Sequence, residues 1–175
     1  MLKKIAIAVV VVLAVILGMA AMQPDSFTVS RSTTIKAPPE KIIPLVNDFH
    51  NWTSWSPWEQ LDPKMQRGYS GPNSGVGAVY TWNGNDDVGQ GRMEITEQTL
   101  STKVGIKLDF VEPFASSNVT EFVLVPQGDT TTVNWNMSGP MQLVTKIMSV
   151  FMSMDKMIGK DFEKGLAQMK AVAEK

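Results

Sequence analysis

Few side chains in this sequence could perform acid–base or nucleophilic chemistry. The chain has one histidine, His50, and no cysteine, so thiolate nucleophiles and cysteine-ligated zinc or iron–sulfur centres are excluded. Zinc needs three or four ligands, which a single histidine without cysteine does not supply. Because His50 stands between a phenylalanine and an asparagine, beside Trp52, it is more typical of a cap or surface residue than of a catalyst.

Carboxylates that could act as a general acid–base pair are scattered, and none has a partner at motif spacing. The candidates are Glu59, Asp62, Glu94, Asp109 and Glu112. Arg92 would need an anionic partner if it faced inward, so we expect it to face solvent. The glycines of 75–77 and 89–91 lack the helix and lysine of a phosphate-binding loop and fit a curved sheet. We therefore predict no catalytic residue, no cofactor and no metal.

Composition indicates one ordinary folded domain with an apolar extension. The chain has 175 residues, of which 43% are hydrophobic and 19% charged, and its net charge is −1. Nucleic-acid binding needs clustered basic residues, and only three arginines occur, so we expect no nucleic-acid partner. We assign residues 1–23 to an N-terminal segment and residues 24–175 to a single domain.

The N-terminal segment has the length and composition of a membrane anchor. Residues 5–22 are uncharged, follow Lys3 and Lys4, and would span about 27 Å as a helix, near the thickness of the hydrocarbon core. The alternative is a signal peptide cleaved near Gly18-Met19-Ala20, which would release a secreted domain. Both interpretations place the domain on the extracytoplasmic (periplasmic) side, because Lys3 and Lys4 favour the cytoplasm. We favour a single-pass membrane protein.

The domain reads as strand, short helices, strands and a C-terminal helix. Residues 27–35 alternate and predict a strand, and residues 41–49 predict a short helix. Alternating segments separated by turns between Met65 and Met137 predict an antiparallel sheet of about six further strands. Residues 142–174 contain no proline and carry one apolar stripe, which predicts a long helix that covers one face of the sheet.

Three stretches, taken in this order, resemble the START-like (SRPBCC) superfamily and its bacterial polyketide cyclase/dehydrase-type proteins. They are Ile35-Lys-Ala-Pro-Pro-Glu40, Asn51-Trp-Thr-Ser-Trp-Ser-Pro-Trp-Glu59 leading to Gly75-Val-Gly-Ala-Val-Tyr-Thr-Trp82, and Met157-Ile-Gly-Lys-Asp-Phe-Glu-Lys-Gly-Leu166. The resemblance covers residues 27–173. It implies an α+β helix-grip fold, in which a curved antiparallel sheet of about seven strands wraps a long C-terminal helix and encloses an apolar cavity.

With that fold, the cavity would be lined by the inner face of the sheet and the stripe of the helix. The strand candidates are Tyr80, Trp82, Met93, Phe110, Phe122, Trp135 and Met137. The helix candidates are Met148, Phe151, Met152 and Ile158. Each of these side chains could equally be plain core. Trp52, Trp55 and Trp58 could plug the cavity, gate it or lie at the membrane interface, and the resemblance favours a plug.

The resemblance and the missing catalytic set favour a membrane-anchored binding or carrier domain for a hydrophobic small molecule, lipid or polyketide-like. One alternative is a cyclase, dehydratase or hydrolase, which predicts an inward acidic or histidine residue with a perturbed pKa. Another is an interaction module of the cell envelope, which predicts an exposed apolar patch.

Overall fold

Seven antiparallel strands form one sheet, as the alternating segments predicted. The computed structural model describes all residues 1–175. The strands are β1 Ser26–Ile35, β2 Gln66–Ser70, β3 Val79–Asn83, β4 Gln90–Thr99, β5 Lys103–Glu112, β6 Ser116–Gln127 and β7 Thr130–Pro140. The helices are α1 Leu2–Ala21, α2 Pro39–Asn47, α3 Leu143–Phe151 and α4 Met154–Ala173. Two short 3₁₀ helices, Phe49–Ser54 and Pro57–Gln60, follow α2.

The strand order is β1-β7-β6-β5-β4-β3-β2, so every neighbouring pair except β1 and β7 is adjacent in the chain. Each sequential pair is antiparallel, as short turns between strands require. Two register shifts interrupt the pairing of β4 with β5, at Gln90/Gly91 and Ile95/Glu97. A bulge bends and twists its strand, so these shifts help to curve the sheet around its inner face.

The inner face of the sheet packs on α4 and on the segment between α2 and β2. Phe162, Leu166 and Met169 of α4 are buried against it, since they recur at helical spacing on one side. Arg31 of β1 ties the two elements together: its guanidinium lies 2.7 Å from Asp155 and 2.7 Å from Glu163, both on α4. The long helix therefore keeps a defined position across the sheet.

The C-terminal segment differs from the sequence prediction in one respect, because two helices replace a single one. Met152 takes an extended conformation (φ −150°, ψ 122°) and ends α3. The Ser153 hydroxyl accepts a hydrogen bond from the Lys156 backbone N–H and so begins α4. The apolar spacing continues through this break, and for that reason the periodicity alone predicted a continuous helix.

The N-terminal helix α1 contacts α3 but is almost wholly uncovered. It is 20 residues long with a mean hydropathy of 2.7 over its most apolar 18-residue window, enough to cross a membrane by length and composition. A signal sequence has the same properties. The covered side chains of α1 are Ala20, which is buried, and Ile16, which is half-buried.

Candidate functional site

A cavity of about 210 Å³ lies between the inner face of the sheet, the 3₁₀ helices and the first half of α4. Thirteen of its eighteen lining residues are hydrophobic, so its wall is apolar with a few polar groups, as in most sites for small molecules. The lining residues are Trp52, Ser56, Trp58, Glu59, Met65, Tyr80, Trp82, Asp87, Val88, Met93, Leu108, Phe110, Thr120, Trp135, Met137, Ile158, Asp161 and Phe162.

The structure brings seven of the eleven sequence-predicted cavity residues to this cavity. They are Tyr80, Trp82, Met93, Phe110, Trp135, Met137 and Ile158. Phe122 points to the same side of the sheet but is fully buried and packs against the rings of Trp55 and Trp135 instead. It belongs to the core behind the cavity wall.

The remaining three predicted residues, Met148, Phe151 and Met152, do not reach the cavity. Their exposed fractions are 40%, 72% and 52%, and they lie on α3 and in the break that follows it. The prediction placed them there because it assumed one continuous helix along the sheet. The break at Met152 and Ser153 instead turns α3 away from the sheet's inner face.

The tryptophan cluster closes one side of the cavity from within the core. Trp52 and Trp58 line the cavity, whereas Trp55 is fully buried beside it. The indole N–H of Trp52 donates to the Val46 carbonyl (3.1 Å) and that of Trp55 to the Leu45 carbonyl (2.7 Å). Both acceptors belong to α2. Buried indoles with satisfied N–H groups hold this wall rigidly against α2.

A buried polar cluster in the cavity wall joins three residues that sequence reasoning did not connect. One oxygen of Glu59 accepts a hydrogen bond from the Tyr80 hydroxyl (2.6 Å), and the other accepts from Arg67 Nε (2.7 Å). Burial, together with this bond to a carboxylate, raises the pKa of Tyr80 well above its ordinary value. The Glu59 side chain is only 6% exposed, so Arg67 supplies the charge that makes its burial tolerable.

The shifted pKa of Tyr80 predicts a loss of stability in alkaline solution. Tyrosine in an unfolded chain deprotonates near pH 10, whereas folded Tyr80 keeps its proton at higher pH, so the free energy of unfolding falls as pH rises above about 10. The chain has only two tyrosines, so absorbance titration of tyrosinate measures the raised pKa. Urea titration at successive pH values measures the decline in the free energy of unfolding. In Tyr80→Phe, we expect a smaller decline, and the part caused by Tyr69, whose pKa is also raised by burial, should remain. An equal decline in that variant contradicts the assignment.

The cavity opens at the end of the sheet where β1 begins. Its partly exposed lining residues lie in the β3–β4 turn, at the end of β5, in the second 3₁₀ helix and in the first turns of α4. They are Trp58, Asp87, Val88, Leu108, Phe110, Ile158 and Asp161. Asp87 and Asp161 are the charged members of this mouth, so a ligand would meet carboxylates at the entrance and apolar walls inside.

The other polar candidates lie outside the cavity. His50 Nδ1 is 2.7 Å from Asp48 Oδ1, and its ring stacks on Tyr69 with centroids 4.1 Å apart. Arg92 is 2.7 Å from Glu94 and is partly exposed on the outer face of the sheet, as expected. Asp62 is buried and accepts hydrogen bonds from the backbone N–H groups of Lys64 and Asn85, so it holds a turn.

Leu108 and Phe162 also line the cavity, although the sequence prediction did not include them. Both could have been predicted from the sequence. Leu108 lies on the same face of β5 as Phe110, and Phe162 lies on the apolar stripe of α4. Glu59 and Asp161 carried no such signal, because nothing in the spacing of a single carboxylate shows that it faces a cavity.

Comparison with solved structures finds the same fold at low sequence identity. A protein from Chromobacterium violaceum is 13% identical, with a TM-score of 0.57 over 87% of this chain and 99% of that one. A protein from Nitrosospira multiformis is 20% identical, with a TM-score of 0.60 over 83% and 94%. The Aha1 dimer from Colwellia psychrerythraea is 18% identical, with a TM-score of 0.57 over 85% and 96%. These likenesses concern the fold alone.

Comparison with sequences adds the family. A search of curated proteins found no significant match. The profile of the family described as polyketide cyclase / dehydrase and lipid transport matches residues 26–174, which is the whole domain after α1. The matched range contains the sheet, the tryptophan cluster and both C-terminal helices, and it agrees with the range of 27–173 that the resemblance covered. This chain therefore belongs to the polyketide cyclase / dehydrase and lipid transport family.

Proposed function

We propose that this protein is a membrane-anchored carrier that binds a small hydrophobic molecule in the cavity between its sheet and α4. The observation that carries the proposal is the apolar cavity of about 210 Å³ with a polar mouth. An engineered apolar cavity of about 150 Å³ holds one benzene molecule, so this cavity has room for a somewhat larger apolar group. A longer molecule would extend through the mouth. The family description, which includes lipid transport, supports the same ligand class.

The membrane part of the proposal rests on α1. After Lys3 and Lys4 this 20-residue helix is uncharged, and all of its side chains except Ile16 and Ala20 are uncovered in the structure. Uncovered apolar side chains are stable in a bilayer but not in water. Lys3 and Lys4 precede the apolar run, so the domain would lie on the extracytoplasmic side by the positive-inside rule. Lipid attachment at a cysteine is excluded, because the chain has none.

Native mass spectrometry of the full chain, purified from host membranes in a mild detergent, tests the ligand directly. We expect a defined apolar molecule to remain bound in stoichiometric amount. Met137 is buried in β7 and faces the cavity, so Met137→Trp fills part of the space and should lower occupancy at least tenfold. The matched control is Val119→Trp, which places the same ring on the exposed outer face of β6 and should keep full occupancy.

Two results would count against the carrier proposal: a wild-type protein without any apolar adduct, or equal occupancy in Met137→Trp and Val119→Trp. Because a larger side chain in a packed wall can destabilise the fold by about 1–3 kcal/mol, thermal unfolding of each variant is measured alongside. Met137→Leu keeps the volume and should keep the ligand, which separates blocking of the cavity from general loss of structure.

A second candidate function, an enzyme acting on an apolar substrate, is favoured by one observation. Glu59 places a carboxylate in the cavity wall beside the Tyr80 hydroxyl. Both oxygens of Glu59 are already engaged, which fits a structural role better than proton transfer. If catalysis occurs, Glu59→Gln should retain a molecule chemically different from the one retained by the wild type. Identical molecules in the two proteins would favour the carrier.

A further inference from the structure

The apolar face of α3 is not covered by the domain. Four of its apolar side chains are at least 40% exposed, whereas Ile147 and Val150 are half-buried. The exposed four, together with Met152, the end of β5 and the neighbouring β5–β6 turn, make up what we call the α3 patch. The patch consists of Val111, Phe114, Leu143, Val144, Met148, Phe151 and Met152. The turn is joined to α3 by Gln142, whose side-chain amide donates to the Ala115 carbonyl (2.7 Å). A continuous apolar surface of this kind needs a partner.

The helix α1 packs against α3 and indicates what covers the patch. The Lys146 ammonium lies 2.6 Å from the Asp25 carboxylate, and the Met141 backbone N–H donates to the Asp25 carbonyl (2.8 Å). These two bonds fix the start of α3 to the short segment that joins α1 to β1. The covered side chains of α1, Ile16 and Ala20, are four residues apart and lie on one face of its last turns.

The position of Ile16 along α1 determines how deep α3 would lie in a bilayer. Six residues separate Ile16 from Met22 at the end of the apolar run, which corresponds to about 9 Å along a helix. Amphipathic helices that lie in a membrane interface are buried roughly 5–10 Å into it. If α1 spans a bilayer, α3 beside its last turns therefore lies at the depth of an interfacial helix. The nine-residue helix α3, with one apolar face, has a composition that suits the membrane interface.

The mouth of the cavity lies at the same end of the molecule. Because all strands are antiparallel, the start of β1, the β3–β4 turn and the β5–β6 turn share one end of the sheet, as the pairings Ser26 with Pro140 and Gln90 with Glu112 show. Asp87 and Val88 at the mouth belong to the β3–β4 turn. Phe110 at the mouth leads directly into the β5–β6 turn, which carries Phe114 of the patch.

We propose that α3 and the β5–β6 turn insert the α3 patch into the outer leaflet of the bilayer, beside α1, and so hold the cavity mouth at the lipid surface. The occupant of the patch is lipid rather than a protein partner, because the patch is continuous with a helix of membrane-spanning length. The proposal rests on the membrane attachment proposed above but not on the identity of any ligand. It gives α3 a role in orienting the domain.

Depth measurements with single labels test this arrangement in the full chain. The natural sequence contains no cysteine, so one introduced cysteine can carry a fluorophore without removing others. The test positions are Met148→Cys and Phe151→Cys in the patch. Val12→Cys in the middle of α1 reports the anchor, and Asp129→Cys in the exposed β6–β7 turn, at the far end of the sheet, is the aqueous control. Each protein is reconstituted into vesicles of phosphatidylethanolamine and phosphatidylglycerol that contain brominated acyl chains.

We expect strong quenching at 12, intermediate quenching at 148 and 151 by bromines near the headgroups, and none at 129. Quenching at 12 with patch labels as unquenched as 129 overturns the α3 proposal while the anchor stands, and would point to a protein partner for the patch. No quenching at 12 removes the anchor and the α3 proposal together, but leaves the ligand experiment unaffected. In Phe151→Ser the label at 148 should lie at a shallower depth, whereas in Lys160→Ser, at an exposed position of α4, its depth should not change.

Discussion

Replacing Trp55 by alanine is expected to lower the free energy of unfolding by about 3–5 kcal/mol, the usual cost of removing a large aromatic side chain from a core. Trp55 is fully buried. Its ring contacts those of Trp52, Phe122 and Trp135, with centroids 4.9, 6.0 and 5.5 Å apart. Urea titration of the full chain in a mild non-ionic detergent, followed by far-UV circular dichroism, measures the change.

Two further variants separate the contributions of Trp55. Trp55→Phe keeps an aromatic ring but loses the hydrogen bond to the Leu45 carbonyl, and an unsatisfied buried carbonyl costs about 1–3 kcal/mol. It should therefore be less destabilised than Trp55→Ala. Val119→Ala, on the exposed outer face of β6, should change stability by less than about 0.5 kcal/mol. A loss below about 1 kcal/mol in Trp55→Ala would show that the cluster packs loosely.

Replacing Arg67 by methionine is expected to destabilise the protein by about 2–3 kcal/mol, because it leaves the Glu59 carboxylate buried without its positive partner. Breaking a fully buried ion pair costs about 3–5 kcal/mol, and the smaller value allows for the exposure of Arg67. The Arg67 side chain is 24% exposed and that of Glu59 only 6%. The same urea titration measures the effect, and the double variant Arg67→Met/Glu59→Gln should regain at least half of the loss.

The control for Arg67 is Arg92, an arginine of the sheet that pairs with a glutamate on its own strand, β4. Arg92 and Glu94 lie on the outer face and are 38% and 35% exposed, so Arg92→Met should cost less than about 1 kcal/mol. If Arg67→Met and Arg92→Met are equally mild, Glu59 does not depend on its partner. If the double variant is as unstable as Arg67→Met alone, the loss arises from packing of the Arg67 stem rather than from the unpaired charge.

Strand positions could be predicted from the sequence because the buried face imposes a period of two. Val133, Trp135 and Met137 of β7 alternate with polar residues and all point inward, as their spacing predicted. The break between α3 and α4 could not be predicted in this way. Neither proline nor glycine marks it, and Ser153 alone caps the new helix, so an apolar stripe that stays in phase conceals it.

The distinction between cavity wall and core could not be predicted from residue type. Phe110 and Phe122 are both inward phenylalanines on neighbouring strands, yet Phe110 reaches the empty space and Phe122 is enclosed by indole rings. This difference depends on how the sheet curves and on where the 3₁₀ helices lie. The pairing of Glu59 with Arg67 and Tyr80 likewise joins the second 3₁₀ helix to two strands, and the spacing of charges along the chain does not indicate it.

The pairing of β1 with β7 has a consequence for the order in which the chain assembles. Ser30 and Asn136 face each other across these strands although 106 residues separate them. The strand that is synthesised first, β1, therefore cannot pair until the last strand, β7, has been synthesised. Every other strand can pair with its sequence neighbour. During that interval β1 stays next to α1, and closing the sheet at this edge also sets the Arg31 contacts that hold α4. The sheet and the cavity are thus completed together, in a late step after β7 has been synthesised.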